Sequence, residues 1–160
     1  MPLRFLIIIL ITLLSACATS PEFDTKKVDF ALTPIHAITE QQNSIGKQVL
    51  WGGVILATKN LKTSTQIEVL AYPLDSYHTP QKDKKPLGRF IIRHPGYLEA
   101  TLYTQGRMLT VVGDIREIEK GKVGESEYNY PVMHSQQLHL WSTDSNRVKT
   151  SLHIGIGVGF

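Results

Sequence analysis

The cysteine at position 17 carries the clearest chemistry of this sequence. It ends the motif Leu14-Ser15-Ala16-Cys17, which follows the apolar run Phe5–Leu14, and Arg4 lies just before that run. A basic residue, an apolar run and small residues in this order are typical of a cleaved export signal. A cysteine directly after Leu-Ser-Ala indicates a lipobox, where a peptidase cuts between Ala16 and Cys17 and the cysteine receives acyl chains. We therefore expect Cys17 to be the acylated first residue of the mature protein.

Two other interpretations of this N-terminal segment are less consistent with its length and its cysteine. A transmembrane helix needs about 20 apolar residues, and the run Phe5–Leu14 has ten. An ordinary secretory signal fits residues 1–14 but requires no cysteine. Each buried CH₂ of an acyl chain adds about 0.8 kcal/mol, so two or three chains anchor firmly. Because Ala18 and not an aspartate follows Cys17, we expect an anchor in the periplasmic leaflet of the outer membrane.

Asp75, Ser76 and His78 bring the residue types of a hydrolytic triad within four positions. A working triad needs the histidine between the other two groups in space, and adjacent residues of an extended chain point to opposite faces. We expect Asp75 and Ser76 instead to satisfy backbone groups of a turn before Pro80. With no other catalytic constellation visible, the sequence predicts a protein that is not an enzyme and has no catalytic residue.

The histidines and the cysteine of the sequence give little indication of a metal site. The chain has six histidines: His36, His78, His94, His134, His139 and His153. None forms a pair at the close helical spacing of many zinc sites, and His134 and His139 would face opposite sides of a strand. Cys17 is the only cysteine, so its acylation leaves no thiol for a disulfide or a zinc site. A site built from distant histidines stays open, but we predict no metal and no cofactor.

Two arginines beside aromatic residues are the candidate ligand-binding groups. Arg89 precedes Phe90, and Arg107 lies four residues after Tyr103. One hypothesis is a shallow anion or polysaccharide site in which Arg89, Arg107 and Tyr103 take part, since a guanidinium binds carboxylate or phosphate as a planar fork. The alternative, which we favour, is that salt bridges hold both arginines in place. The candidate partners are Asp75, Glu99 and Asp114.

Length and charge limit the protein to one domain and argue against nucleic acid. Removal of residues 1–16 leaves 144 of the 160 residues, enough for one domain and too few for two. It removes Arg4 and no acidic residue, so the net charge falls from +3 to +2. Lys82–Lys85 is a basic run that contains Asp83, and it predicts a solvated loop. Specific nucleic-acid binding needs a concentrated basic face, so we expect no nucleic-acid partner.

Short apolar runs separated by turn residues predict a mainly β domain. The expected strands are Gln48–Thr58, Thr65–Tyr72, Gly88–Arg93, Leu109–Glu119 and Val132–Trp141, and the runs Lys59–Lys62 and Lys120–Gly124 are turn signals. One short helix is expected at Pro95–Ala100, between the third and fourth strands. This order predicts an OB-type five-stranded Greek-key barrel, with Gly52-Gly53 where the first strand bends. A β-sandwich is the alternative.

The predicted chain has four parts. Residues 1–16 are the lipoprotein signal peptide, residues 17–34 a polar tether after acylation, residues 35–145 the barrel, and residues 146–160 a C-terminal tail or edge strand. Docking of part of the tether on the barrel, through Phe23 and Phe30, is the alternative to a fully extended tether. In the tail, Leu152–Phe160 alternates large apolar residues with His or Gly. An edge strand, a partner-binding strand, a lipid contact and a frayed terminus all remain open for this segment.

A set of ordered motifs resembles one family of lipoproteins. The motifs are Trp51–Ile55, Tyr72–Tyr77, Gly88–Phe90, Gly96–Glu99, Tyr103, Gly106-Arg107, Val111–Gly113 and Tyr130–Val132. Together with the lipobox, they make the chain similar to the Slp family of outer-membrane lipoproteins between about Gly46 and Trp141. The resemblance implies a periplasm-facing lipoprotein of the outer membrane. It implies neither an enzymatic activity nor a ligand.

These observations predict a lipid-anchored binding or structural module of the cell envelope. Its partner is the outer membrane, through acyl chains on Cys17, and an envelope protein or glycan is a possible second partner. The alternative is an OB-type domain that binds an envelope oligosaccharide or another anionic ligand, as OB-type surfaces do. An enzyme is the least favoured class.

Overall fold

A computed structural model describes residues 21–142, which form a closed five-stranded barrel with strand order β1-β2-β3-β5-β4. The strands are β1 (Gln48–Asn60), β2 (Ser64–Ala71), β3 (Arg89–Pro95), β4 (Met108–Val123) and β5 (Ser126–Leu140). Neighbouring strands are antiparallel except β3 and β5, which are parallel. The predicted mainly β fold of OB type is confirmed, and the described residues do not form the alternative sandwich.

Alternation along the strands creates the core. In β2, every second residue from Thr65 to Ala71 is buried, because successive side chains of a strand point to opposite faces. Phe90 and Ile92 do the same from β3 and are fully buried. The largest other side chains of this interior are Trp51, Ile55, Ile67, Leu109, Ile115 and Met133. Removing these groups from water is the main stabilising contribution to the barrel.

The first strand passes between two partners at its paired glycines. The first half of β1 pairs with β4 and its second half pairs with β2. Gly53 lies where the two pairings overlap, opposite Ala71 of β2 and Leu109 of β4. A Cβ at Gly53 would collide with the backbone carbonyl of Leu70. Glycine is therefore required for the close approach of strands that closes the barrel, at the position where the sequence predicts a bend.

The fourth and fifth strands are longer than predicted. β4 continues to Val123 and β5 begins at Ser126, which leaves only Gly124 and Glu125 for the turn. The predicted turn signal at Lys120–Gly124 therefore belongs mostly to a strand. The hairpin extends beyond the barrel and packs over β3, where Ile91 forms a second apolar cluster with Tyr130, Val132, Val123 and Tyr128.

The helix predicted between the third and fourth strands is wrong. Residues 96–107 form turns, because Gly96 has φ +82° and Glu99 Oε1 accepts from the backbone N–H of Thr101, which competes with helical hydrogen bonding. Leu98 and Tyr103 of this loop still pack against the core. The helices of the described region lie before β1 and are α1 (Pro34–Thr39) and α2 (Gln41–Ser44).

Helix α1 lies at the end of the barrel where β3 begins, opposite the loop of residues 96–107. Thr33 caps it by accepting a hydrogen bond from the backbone N–H of His36, and Pro34 occupies its first turn, where a missing N–H costs nothing. Ala37 is buried in the core. Ile35 donates its backbone N–H to the carbonyl of Leu87, which joins the helix to the loop before β3.

The described part of the predicted tether packs on the barrel. The ring of Phe23 contacts those of His78 and His139 edge to face, with centroids 5.7 and 6.5 Å apart. Val28 forms a parallel bridge with Gln48, and Leu32 is part of the core. The folded unit therefore begins N-terminal to the predicted boundary at residue 35. Residues 1–20 lie outside the described residues. So does the predicted tail, residues 146–160, because the described residues end at position 142.

Candidate functional site

The predicted acylation site, Cys17 with Ala16 before it, lies outside the described residues. No helix among residues 21–142 is long and apolar enough to cross a membrane. The described geometry therefore concerns the candidate ligand groups and the surfaces of the barrel.

Arg89 lies on the outer surface of β3 in an ion pair. Its guanidinium donates to Glu68 Oε1 at 2.8 Å, and the Tyr130 hydroxyl donates to the same oxygen at 3.1 Å. The Tyr128 hydroxyl accepts the backbone N–H of Arg89 at 2.9 Å. The hydrogen bond that Arg89 donates to Glu68 raises the pKa of Arg89, and burial raises the pKa of Tyr130. Arg89 is thus held by a salt bridge, as favoured from the sequence, but its partner is Glu68 and not one of the predicted carboxylates.

This polar network and the second apolar cluster together make up the β3 face, defined by Glu68, Arg89, Ile91, Arg93 and Tyr130. Arg93 donates to Glu119 of the hairpin at 2.6 Å, and Ile91 is buried beneath the two tyrosines. In other OB-type barrels, the face of strands 2 and 3 binds oligonucleotides and oligosaccharides. Here the β4–β5 hairpin covers much of it, so Arg89 serves packing within the chain.

Arg107 and Tyr103 lie together elsewhere, in the loop between β3 and β4. The Arg107 guanidinium donates to the carbonyls of Leu102 at 3.2 Å and Trp141 at 2.8 Å. Burial raises the pKa of Tyr103, and the Arg107 cation acts in the opposite direction. Arg107 fastens the end of β5 to this loop and has no carboxylate partner among residues 21–142. Its predicted salt bridge is wrong, and no contact joins it to Arg89.

The three carboxylates proposed as arginine partners have other roles. Asp75 Oδ1 accepts the backbone N–H groups of Tyr77 at 2.8 Å and Thr79 at 2.9 Å, which confirms the predicted turn role of Asp75. Glu99 accepts from Thr101 within its own loop. Asp114 pairs with Arg116 at 3.1 Å. The backbone carbonyl of His78 accepts from Thr110, so the Asp75–His78 segment is a structured turn.

The two histidines of β5 share a face, contrary to the expected alternation. His134 is opposite Asp114 of β4 and His139 is opposite Thr110. Asp114 and Thr110 are four residues apart on one strand, so their partners lie on the same side of the sheet. A bulge between Val112 and Gly113 adds the extra residue in β5 that makes this possible. Across residues 21–142, no group of three or more His, Cys, Asp or Glu residues is placed to hold a metal ion.

An apolar cleft of about 280 Å³ lies between the N-terminal segment and the loop from β2 to β3. Trp51 lines it, donates Nε1–H to the Leu32 carbonyl at 2.7 Å and packs edge to face on Phe90 at 5.1 Å. Phe30 lines it too and is 64% exposed. We call this cavity the Trp51 cleft. Gly52 lines the cleft as well, and a Cβ there would lie 2.9 Å from the Leu74 side chain, so glycine is needed for the close approach of the loop from β2 to β3.

A polar groove of about 520 Å³ runs along the seam between β3 and β5. The parallel pairing of these strands covers three residue pairs and ends at Arg93 and His134. Arg116 and Gln136 also line the groove. We call it the β3–β5 groove. Sequence reasoning singled out Arg89 and Arg107 and missed Arg93 and Arg116, since only the pairing of distant strands brings these two together.

The sequence is similar to a known family and to three proteins. Residues 14–155 match the profile of the family described as "Outer membrane lipoprotein Slp family". "Outer membrane protein Slp" of Escherichia coli is 28% identical over 138 residues, covering 85% of this chain and 73% of that protein. An "Uncharacterized protein" of Haemophilus influenzae is 31% identical over 131 residues, 81% of this chain and 70% of that protein. "Uncharacterized lipoprotein YeaY" of Escherichia coli is 28% identical over 134 residues, 81% and 67% respectively.

Proposed function

This chain belongs to the outer membrane lipoprotein Slp family, and from that premise we propose that it is acylated at Cys17 and holds its barrel at the periplasmic face of the outer membrane. We further propose that it acts there as a non-catalytic binding or structural module. Family membership over residues 14–155, which include Cys17, is the observation that carries the proposal. The lipobox at Leu14–Cys17 supplies the chemistry.

The packing of the N-terminal segment supports a structural role for the anchor. Phe23, Val28 and Leu32 all contact the barrel, so the acylated end joins a folded body and not a long free tether. Acyl chains confine such a body to a surface, which raises its effective concentration for partners there. The Asp75–His78 turn supports a non-catalytic role, because Asp75 binds backbone N–H groups instead of the histidine.

Mass spectrometry of the N-terminal peptide and fractionation of the envelope test the anchor. We expect a triacylated or diacylated Cys17 peptide and sedimentation with outer-membrane markers. A Cys17→Ser variant loses both, while a Ser15→Ala variant, which keeps a small residue before the cleavage site, retains both. Recovery of the acylated protein with inner-membrane markers contradicts the proposed location, and an unmodified Cys17 contradicts the anchor itself.

A second candidate is binding of an envelope oligosaccharide or another anionic ligand at the β3–β5 groove. Arg93 and Arg116 line this groove with His134, and the guanidinium donors that Glu119 and Asp114 do not use suit anionic or hydroxyl-rich ligands. Nuclear magnetic resonance titrations with soluble peptidoglycan fragments, and separately with inorganic phosphate, test it. We expect shifts at Arg93 and His134 that disappear in Arg116→Gln and persist in Arg107→Gln. Absence of shifts with both probes removes this candidate.

A further inference from the structure

The reach of the chain from the acylation site to the barrel is short. Phe23 is fixed on the barrel between His78 and His139, and the backbone N–H of Asp24 donates to Gln137 Oε1 at 2.7 Å. Cys17 precedes Phe23 by six residues. Fully extended chain covers at most about 3.6 Å per residue, so these six residues span about 22 Å or less. Acyl chains on Cys17 therefore keep this side of the barrel close to the bilayer.

The side of the barrel around Phe23 carries groups that suit a membrane surface. Tyr77 is next to His78 and 56% exposed. Lys26 and Lys27 follow Phe23 and are exposed, and within residues 21–142 neither forms an ion pair. Tyrosine combines an apolar ring with a polar end and is enriched at membrane–water interfaces. Lysine is attracted to anionic headgroups within a Debye length of the surface, and the exposed carboxylates of Glu22 and Asp24 beside Phe23 oppose that attraction in part.

We propose that this anchor-side surface, formed by Phe23, Lys26, Lys27 and Tyr77, contacts the headgroup layer of a bilayer containing anionic phospholipid. The contact orients the barrel, with the outer side of β4 near His78 toward the membrane and the start of β2 beside Tyr97 away from it. This inference rests on the proposed acylation of Cys17. It goes beyond that proposal because an acyl anchor alone permits any orientation.

Two exposed tyrosines provide a matched pair for the test. The carbonyl of His78, next to Tyr77, accepts from Thr110 of β4, whereas Gly96 and Leu98, on either side of Tyr97, donate to Thr63 and Thr65 at the start of β2. Because β2 and β4 are not adjacent in the barrel, the two tyrosines lie on different sides of it, and Tyr97 is 70% exposed. Cys17 is the only cysteine of the sequence, so acylation leaves no free thiol. Tyr77→Cys or Tyr97→Cys then introduces a single thiol, which a fluorescent nitrobenzoxadiazole label modifies selectively.

The acylated proteins are reconstituted into vesicles of phosphatidylethanolamine and phosphatidylglycerol that contain lipid with a nitroxide quencher near the headgroup. We expect quenching and a blue-shifted emission for the label at position 77, and neither for the label at position 97. Equal quenching at both positions, or stronger quenching at position 97, overturns the inference. So does the absence of quenching at both positions when the protein is bound.

Flotation of the same vesicles separates the inference from the function on which it rests. Acylated protein that fails to float contradicts the proposed anchor, whereas protein that floats without quenching at position 77 contradicts only the orientation. Charge is tested by Lys26→Ser/Lys27→Ser, with Lys120→Ser/Lys122→Ser on the hairpin as the control. We expect quenching at position 77 to fall for the first pair alone, and an equal fall for both pairs contradicts the role of the anchor-side surface.

Discussion

The β3 face and the Trp51 cleft are two regions of one barrel, and the rest of the chain covers the first more fully than the second. On the β3 face, Glu68 and Glu119 bind Arg89 and Arg93, and the hairpin covers Ile91. At the Trp51 cleft, one hydrogen bond from the indole and apolar contacts hold the N-terminal segment over an open cavity. The surface that binds ligands in other OB-type barrels is thus occupied by the chain itself. Open space remains where the N-terminal segment crosses the barrel.

The largest expected loss of stability is at the Trp51 cleft. Trp51→Ala removes a ring that is 5% exposed and leaves a cavity, so we expect a loss of about 3–5 kcal/mol in the free energy of unfolding. Trp51→Phe keeps most of the apolar contact but removes the hydrogen bond to Leu32, and about 1–2 kcal/mol is expected. Urea denaturation measures both. Equal losses for the two variants would show that the hydrogen bond, and not ring packing, holds this region.

A smaller effect is expected on the β3 face. Glu68→Gln removes the charge that binds Arg89 and the Tyr130 hydroxyl, and about 1–2 kcal/mol of unfolding free energy should be lost. The ion pair is partly exposed, which limits its contribution. A double-mutant cycle with Tyr130→Phe should give a coupling energy of about 0.5 kcal/mol or more. Strict additivity of the two substitutions would mean that the hairpin does not depend on this network.

The loop that lines the cleft offers a matched pair of aspartates. Asp75→Ala removes the acceptor of two backbone N–H groups and should cost about 1 kcal/mol. Asp83→Ala, in the same loop, removes only an exposed contact to Lys84 at 3.8 Å, and less than about 0.5 kcal/mol is expected. Thermal unfolding monitored by circular dichroism compares them. An unchanged melting temperature for Asp75→Ala would remove the turn interpretation.

The smallest effect is a pH dependence that compares the contact of the N-terminal segment at Phe23 with the contact between β3 and β5. Burial lowers the pKa of His139, which contacts Phe23, and of His94, which hydrogen-bonds Ser135 between β3 and β5. Each folded-state pKa lies below the unfolded value of 6.5, so the unfolded chain binds protons first. Stability should therefore be full above about pH 6.5 and fall as the pH drops below it. His139→Gln and His94→Gln should each weaken the fall in melting temperature between about pH 7 and 5.

If only His94→Gln changed that pH dependence, proton uptake would be confined to the contact between β3 and β5. If neither variant changed it, burial of these two imidazoles would not contribute to acid sensitivity. The first result would separate the contact of His139 with Phe23 from the contact of His94 with Ser135.

Much of the fold was predictable because strand alternation is local. β2 reads as alternating buried and exposed positions, and the predicted strand at Thr65–Tyr72 differs from the observed one by a single residue at each end. The long β4–β5 hairpin was not predictable, because its support comes from Ile91 on a distant strand. The predicted helix is absent because Gly96 and the side chain of Glu99 favour a turn conformation of the local backbone. The spacing of apolar residues does not reveal this preference.

By itself, the sequence predicted the acylation of Cys17 and determined the mainly β class and the turn built on Asp75, since each depends on residues close together in the chain. Only the tertiary structure decided that Glu68 pairs with Arg89 and that Arg107 binds carbonyls, because those partners come from other strands. It also decided the position of the N-terminal segment. Phe23 is an isolated apolar residue in a polar stretch, and its place against His78 and His139 exists only once the barrel has brought those rings together.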